Sequence, residues 1–250
     1  LFDSFFIFTF FHLIVGLGTA VSFGPLLADI SLWFKRFRGI AVAIAASGNY
    51  ISGAIFPFLL GDVIADYGWR GSYYALSIAS IGLLLPAGFF LKRRLSSKFQ
   101  KEQEEQAKTQ SVSSSFSPLT LQIILSVAAV CCCVAMSMPQ IHIVNMCVDL
   151  GFGSKVGAEM LSLMLLGGVI SRLISGVLVD FIGGLRTLLL GSSLQCIGLV
   201  LYYPTMDLNA LYIVSLIFGL SQGGIVPSYA IIVREYLPPQ EAGERVGIVI

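Results

Sequence analysis

The chain has 250 residues, of which 56% are hydrophobic and only 12% are Asp, Glu, Lys or Arg. About a quarter of the residues of a soluble domain are charged, so this composition excludes an ordinary soluble globular protein. Fifteen basic and fourteen acidic residues leave a net charge of +1, and the absence of a basic stripe argues against nucleic-acid binding.

Seven long apolar segments follow one another, each close to the ~20 residues that a helix needs to cross a bilayer core. The predicted spans are residues 5–30, 40–63, 72–91, 119–144, 156–179, 187–203 and 208–233. An eighth begins at Val246, and short polar segments such as 62–70 separate the spans. The pattern therefore predicts an all-α, polytopic membrane protein.

One connection, residues 92–118, is long and rich in Lys, Gln, Glu and Ser. Such a segment cannot bury itself, so it is predicted to be a flexible linker. It divides the chain into a helical part at 1–91 with three spans and a helical part at 119–250 with four spans and the start of another.

Basic residues are distributed unequally between the two sides of the membrane, which predicts the orientation of the chain. On the linker side lie twelve of them: Lys35, Arg36, Arg38, Lys92, Arg93, Arg94, Lys98, Lys101, Lys108, Arg186, Arg234 and Arg245. The opposite side holds only Arg70 and Lys155. The linker is therefore expected to be cytoplasmic, with the first residues of the chain on the outer side.

Arg172 is the only charged residue deep within a predicted span. It lies eight residues before Asp180, or ~12 Å along a helix, close to the middle of a ~30 Å core. Gly168 and Gly176, one turn to either side, indicate that it faces a neighbouring helix rather than lipid. Two roles remain open: binding an anionic group through the planar guanidinium, or capping freed helix carbonyls or pairing with an acid. We favour binding, because ionisable residues inside membranes are usually functional.

Further polar residues at membrane depth are candidates for substrate binding: Asn49, Tyr50, Gln140, His142, Gln222 and Tyr229. Gln222 and Tyr229 are seven positions apart and are predicted to share one helix face. Pro227 lies between them, and because it lacks an N–H it frees the carbonyl of Gly223. His12 has no evident partner and is expected to serve packing.

A turn between the fifth and sixth predicted spans combines an acid at a helix end, a glycine in the turn and a basic residue that opens the next helix. Its residues are Gly176, Asp180, Gly183 and Arg186. We expect it to act as a cytoplasmic gate motif. The turn resembles the signature loop of the major facilitator superfamily, in its second-half copy between the eighth and ninth spans.

Residues 33–41 (WFKRFRGIA) and 67–71 (YGWRG) resemble the fourth-to-sixth-span region of the monocarboxylate transporter family and its bacterial, oxalate/formate antiporter-like relatives. Residues 139–142 (PQIH) resemble the seventh span of the bacterial members. Arg172 matches an eighth-span arginine that this family uses for carboxylates, while Gly168 stands where animal members place an acid. The resemblance implies the major facilitator fold, twelve spans in two six-helix halves, with spans 4 to 10 and the start of 11 in this chain.

The same resemblance implies a secondary active transporter of small organic anions, monocarboxylates above all, that works by alternating access in the plasma membrane. Proton symport and anion exchange both remain open, and no partner protein is predicted. No enzymatic activity is expected, because the spans hold no pair of His, Asp or Glu for acid–base or metal chemistry. The five cysteines lack ligand spacing, so neither a metal nor a cofactor is expected. The alternatives are a transporter-like membrane sensor or receptor and a major facilitator carrier for a non-carboxylate solute.

Overall fold

The computed structural model describes residues 5–34, 37–90, 116–204, 206–237 and 241–250. These residues form helices and short connections. The helices are α1 (Phe5–Trp33), α2 (Arg38–Leu59), α3 (Gly61–Phe90), α4 (Pro118–Asp149), α5 (Ser154–Ile182), α6 (Gly184–Tyr202), α7 (Leu208–Gln222), α8 (Ile225–Tyr236) and α9 (Ala242–Val249). The predicted linker at 92–118 lies, up to residue 115, outside the described residues.

Seven segments of the described chain are long and apolar enough to cross a membrane, as the sequence predicts. Helices α1 to α6 supply one each, and α7 and α8 together supply the seventh. The protein is thus an integral, multi-pass, all-α membrane protein, and its fold class is confirmed.

The polar segment at 62–70 is helical except at one residue. Helix α3 already begins at Gly61, and its single irregular residue is Gly68, with φ 67° and ψ −175°. Only glycine adopts that positive φ without strain, so one residue is enough to redirect the chain. Two helical stretches therefore meet at Gly68, within the polar segment that separates the second and third predicted spans.

The last complete span is interrupted at Gly223 and Gly224, between α7 and α8. Pro227 lies one turn further on and cannot donate a hydrogen bond to the carbonyl of Gly223. Gln222 ends α7 whereas Tyr229 belongs to α8. The predicted common face of Gln222 and Tyr229 thus crosses the break, and both side chains are buried.

Helix α5 lies at the centre of the packing and contacts α2 and α7 most extensively. Small residues permit the close approach to α2: a Cβ on Gly176 would overlap that of Ala43 and lie 3.0 Å from the carbonyl oxygen of Gly39. On the other side, a Cβ on Gly219 would overlap the carbonyl oxygen of Met164. Such small-residue contacts drive helix association within a bilayer. They bring the middle of α5 against helices from both sides of the predicted linker.

Candidate functional site

Arg172 lies in the interior of the helix bundle, in the middle of α5. Its side chain is 1% exposed. The prediction that this residue faces neighbouring helices rather than lipid is confirmed. A cation at that depth costs ~3 kcal/mol unless its environment compensates the charge.

Neutral groups from two other spans hold the guanidinium of Arg172. Its Nε donates to the carbonyl oxygen of Gly223 over 2.8 Å, and its Nη1 donates to the carbonyl oxygen of Ala46 and, over 2.7 Å, to Oδ1 of Asn49. The ring of Tyr50 lies against it, with the ring centroid 4.1 Å from Cζ. Among the described residues, no acid pairs with Arg172 and no group accepts a hydrogen bond from Nη2.

The contact with Gly223 follows from the break in the last span. Pro227 leaves the carbonyl of Gly223 without its normal helical donor, and Nε of Arg172 supplies the missing hydrogen bond. Nε of Arg172 therefore caps a freed carbonyl, which was one of the two roles that the sequence left open. Nη1 caps the carbonyl of Ala46 and binds Asn49, so only Nη2 has no acceptor among the described residues.

Gly168 makes room for the aromatic ring that covers the guanidinium. A Cβ on Gly168 would lie 3.4 Å from the ring of Tyr50. The place where the resemblance would put an acid is thus next to an aromatic face. A cation against an aromatic ring is stabilised by about 0.5–2 kcal/mol without being neutralised.

A pair of amide side chains lies beside this cluster. Nε2 of Gln140 donates to Oε1 of Gln222 over 2.9 Å, which joins α4 to α7. The hydroxyl of Tyr50 contacts Sδ of Met136 at 3.4 Å, one turn before Gln140 on α4. Contacts therefore run from Arg172 through Tyr50, α4 and Gln222 back to Gly223 and Arg172. We call these six residues, Tyr50, Met136, Gln140, Arg172, Gln222 and Gly223, the central ring.

Not all of the candidate binding residues meet here. Asn49 and Tyr50 contact Arg172 directly, and Gln140 and Gln222 contact each other. Tyr229 makes no hydrogen bond to Arg172 and is buried in an apolar cluster that also contains Met136 of the central ring. The side chain of His142 is exposed and has no hydrogen bond to another described residue.

Two cavities of the described chain lie away from Arg172. One, of about 300 Å³, lies between α1 and the start of α3 and is lined by Phe8, His12, Trp69 and Tyr73 among others. His12 hydrogen-bonds the hydroxyl of Tyr73 over 2.9 Å, so the expectation that it lacks a partner is wrong. The other, of about 620 Å³, is an apolar crevice between α2 and α5. Arg172 lines neither of them, and its side chain is almost fully buried by its neighbours.

The predicted gate motif contacts the start of α2. Oδ1 of Asp180 accepts a hydrogen bond from the backbone N–H of Gly39 over 2.7 Å, and Oδ2 accepts one from Ile40 over 3.2 Å. The first N–H groups of a helix lack intrahelical partners and attract negative charge, so this carboxylate acts as an N-terminal cap from another helix. Gly183, with φ 85°, makes the turn into α6, and Arg186 is exposed.

A second polar cluster near this end escaped the sequence analysis. Ser31 accepts two hydrogen bonds from arginines. Nε of Arg38 donates to its carbonyl oxygen over 3.1 Å, and Nη1 of Arg234 donates to the Ser31 hydroxyl over 3.0 Å. Oε1 of Glu235 accepts from the N–H of Gly184 over 3.4 Å. The cluster joins α1, α2, α6 and α8. Charges at the ends of predicted spans were the only sequence signal for it.

Helices long enough to span a membrane enclose a cation and a set of polar side chains, and ionisable residues inside such a bundle are usually functional. The family model described as Major Facilitator Superfamily matches residues 1–250. The chain belongs to that superfamily, and the resemblance inferred from its motifs is confirmed.

Curated relatives are similar to this chain at low identity. An MFS-type transporter, opdF, of Penicillium oxalicum is 23% identical over 238 residues, covering 94% of this chain and 54% of the relative. Monocarboxylate transporter 13 of Rattus norvegicus is 27% identical over 223 residues, covering 86% and 50%. The riboflavin transporter RibJ of Trypanosoma brucei brucei is 40% identical over 76 residues, covering 30% and 14%. The chain spans about half the length of the first two relatives.

Proposed function

We propose that the protein is a secondary active transporter of small organic anions, with monocarboxylates as the leading class, and that it works by alternating access. The observation that carries the proposal is the buried cation of Arg172, which has only neutral hydrogen-bond partners among the described residues. A carboxylate would supply the missing negative charge, through hydrogen bonds about twice as strong as neutral ones. The similarity to monocarboxylate transporter 13 supports this substrate class.

We infer that the described conformation is one in which the helices are closed around Arg172. Helix α5 is fastened to α2 at two levels, through Asp180 at the end that the positive-inside rule assigns to the cytoplasm and through Arg172 in the middle. We propose that an arriving carboxylate displaces Ala46 and Asn49 from Nη1 of Arg172. The displacement loosens the middle contact between α2 and α5, so that binding is linked to rearrangement of the two helical halves.

The residues of the gate motif complete this scheme. Gly176 permits the close approach of α2 and α5, and Asp180 holds the start of α2. We propose that these contacts break when the cytoplasmic side opens. Orientation is part of the proposal: residues 92–118 are cytoplasmic and the protein lies in the plasma membrane. Protease accessibility of that segment in sealed right-side-out and inside-out vesicles tests the orientation.

Transport of radiolabelled monocarboxylates by the full-length carrier in liposomes tests the function. We expect Arg172→Gln to reduce uptake at least about tenfold, because the amide carries neither the charge nor the planar fork. The matched control is Lys155→Gln, which removes an exposed cation that belongs to neither the site nor the gate motif. Full transport by Arg172→Gln would contradict the proposal. Uptake driven by a pH gradient, compared with uptake driven by an internal counter-anion, separates symport from exchange.

A second candidate is a major facilitator carrier for a non-carboxylate solute. The similarity of 76 residues to a riboflavin transporter favours it. Uptake of riboflavin by the same liposomes, unaffected by Arg172→Gln, would support this candidate over an anion carrier.

A further inference from the structure

Gln222 has an amide group that is only half satisfied. The residue is 0% exposed, and its Oε1 accepts the hydrogen bond from Gln140. Its Nε2 has no hydrogen-bond partner within the described chain. A buried donor without an acceptor costs about 1–3 kcal/mol, and native structures contain few of them. The absence of an acceptor for Nε2 of Gln222 within the described residues therefore calls for a structural or functional explanation.

The position of Gln222 in the central ring supplies that reason. The next residue, Gly223, accepts the hydrogen bond from Nε of Arg172 over 2.8 Å. Gln140, which holds Gln222, lies one turn from the methionine that contacts Tyr50. Within the ring, Nη2 of Arg172 and Nε2 of Gln222 are the two nitrogens without an acceptor among the described residues. Gln222 carries one of these nitrogens, and the next residue, Gly223, binds the arginine that carries the other.

We propose that Nε2 of Gln222 is a second hydrogen-bond donor for the cargo and that it selects carboxylates with a further oxygen acceptor, a hydroxyl or carbonyl, near the carboxylate. This inference rests on the proposed function. The charged guanidinium matches the carboxylate, while a neutral amide matches a neutral acceptor and adds no charge to the site. An alkyl acid of equal size would leave the amide donor buried and unfilled, which is how polar sites reject such analogues.

Gln140 acts in this scheme as a positioning residue. Its donated hydrogen bond occupies Oε1 of Gln222, so that the amide presents its N–H groups to the cargo rather than its oxygen. The two glutamines belong to different spans, α4 and α7, and their hydrogen bond joins these spans.

The test compares lactate with isobutyrate, in which a methyl group replaces the hydroxyl. Uptake of each radiolabelled acid is measured with the full-length carrier in liposomes. We expect wild type to favour lactate at least about tenfold in kcat/KM, since one unfilled donor costs 1–3 kcal/mol and 1.4 kcal/mol is tenfold. Gln222→Met keeps the chain length and removes the amide. We expect it to reduce the ratio to within about twofold while isobutyrate uptake persists.

Gln195→Met is the matched control. Gln195 is also buried, at 3% exposure, but its Nε2 donates to the carbonyl of Cys132 and its Oε1 accepts from Sγ of the same residue. Its loss should affect stability and leave the ratio at the wild-type value. If Gln222→Met does not yield folded protein, Gln222→Asn, with its donor withdrawn by one methylene, must also lower the ratio.

Three outcomes would overturn the inference. A wild-type carrier that transports both acids equally well has no second donor that recognises the hydroxyl. An unchanged ratio in a folded Gln222 variant removes the amide from recognition, although the anion assignment stands. If folded wild type neither binds nor carries any carboxylate, the proposed function fails and this inference fails with it.

Discussion

Oδ1 of Asp180 lies 2.7 Å from the backbone nitrogen of Gly39, and this hydrogen bond joins residues 141 positions apart. The carboxylate at the end of α5 caps the first turn of α2, a role that a residue of the same chain segment normally fills. Eight residues earlier on α5, Arg172 contacts Ala46 and Asn49 of the same partner helix. Two polar contacts of different chemistry therefore hold one helix pair, and they can be removed separately.

Replacement of Asp180 should open the end of this helix pair. Asp180→Ala removes both acceptors from the N–H groups of Gly39 and Ile40, and loss of such a cap costs about 0.5–2 kcal/mol. A change of 1 kcal/mol shifts the open population about fivefold. We expect a cysteine introduced at Ser47, in a variant without native cysteines, to react about fivefold faster with a membrane-impermeant thiol reagent.

The control for this measurement is Asp149→Ala. Asp149 is the exposed last residue of α4, and its carboxylate makes no hydrogen bond to another described residue. Equal labelling rates in the Asp180 variant and in wild type would show that the cap does not hold the helices together.

A methyl group at Gly176 should separate α2 from α5. Its Cβ would overlap that of Ala43, and overpacking of this kind costs about 1–3 kcal/mol. We expect Gly176→Ala to lower the Tm of the purified carrier by several degrees, and Ala43→Gly to restore part of the loss by vacating the space. Gly48→Ala on α2 is the control, because no neighbouring atom lies within 4 Å of a Cβ there. A Tm of Gly176→Ala equal to that of Gly48→Ala would refute the close packing.

Hydrophobicity and the cost of buried charge were enough to predict the spans and the inward orientation of Arg172. Both are properties of single segments in a bilayer, where polar groups must be satisfied internally. The break at Pro227 was also readable, since its missing N–H is a property of one residue. The sequence therefore predicted which carbonyl, that of Gly223, would need a donor.

The partners of these groups were not predictable from the sequence. Ala46 offers a backbone carbonyl, which any residue type carries, so no side-chain pattern marks it as an acceptor for Arg172. The backbone N–H of Gly39 is likewise present in almost every residue type, and only the fold brings it within hydrogen-bond distance of Asp180. Tyr229 was chosen for its depth and its helix face and His142 for its depth, and neither signal distinguishes contact with Arg172 from burial in an apolar cluster or from an exposed position.

The ring of Tyr50 should contribute to the site through its aromatic face rather than its hydroxyl. Tyr50→Phe keeps the ring 4.1 Å from the guanidinium and loses only a contact of 3.4 Å with the sulfur of Met136. We expect it to transport carboxylates nearly as well as wild type. Tyr50→Leu removes a cation–π contact of about 0.5–2 kcal/mol and should raise KM about two- to thirtyfold. Equal loss in both variants would assign the effect to the hydroxyl instead.

Restoring the backbone donor at Pro227 should compete with Arg172. In Pro227→Ala, the new N–H is placed four residues after Gly223 and can donate to its carbonyl, which now accepts from Nε of Arg172. The continuous helix is more stable, so we expect a higher Tm but at least about a threefold lower transport rate, because the arginine loses an anchor and the break loses its freedom to bend. Pro86→Ala in α3 is the control, since Pro86 is exposed and far from the central ring in sequence and contacts. It should raise the Tm without lowering transport. If both variants reduce transport equally, the freed carbonyl of Gly223 has no special role in the cycle.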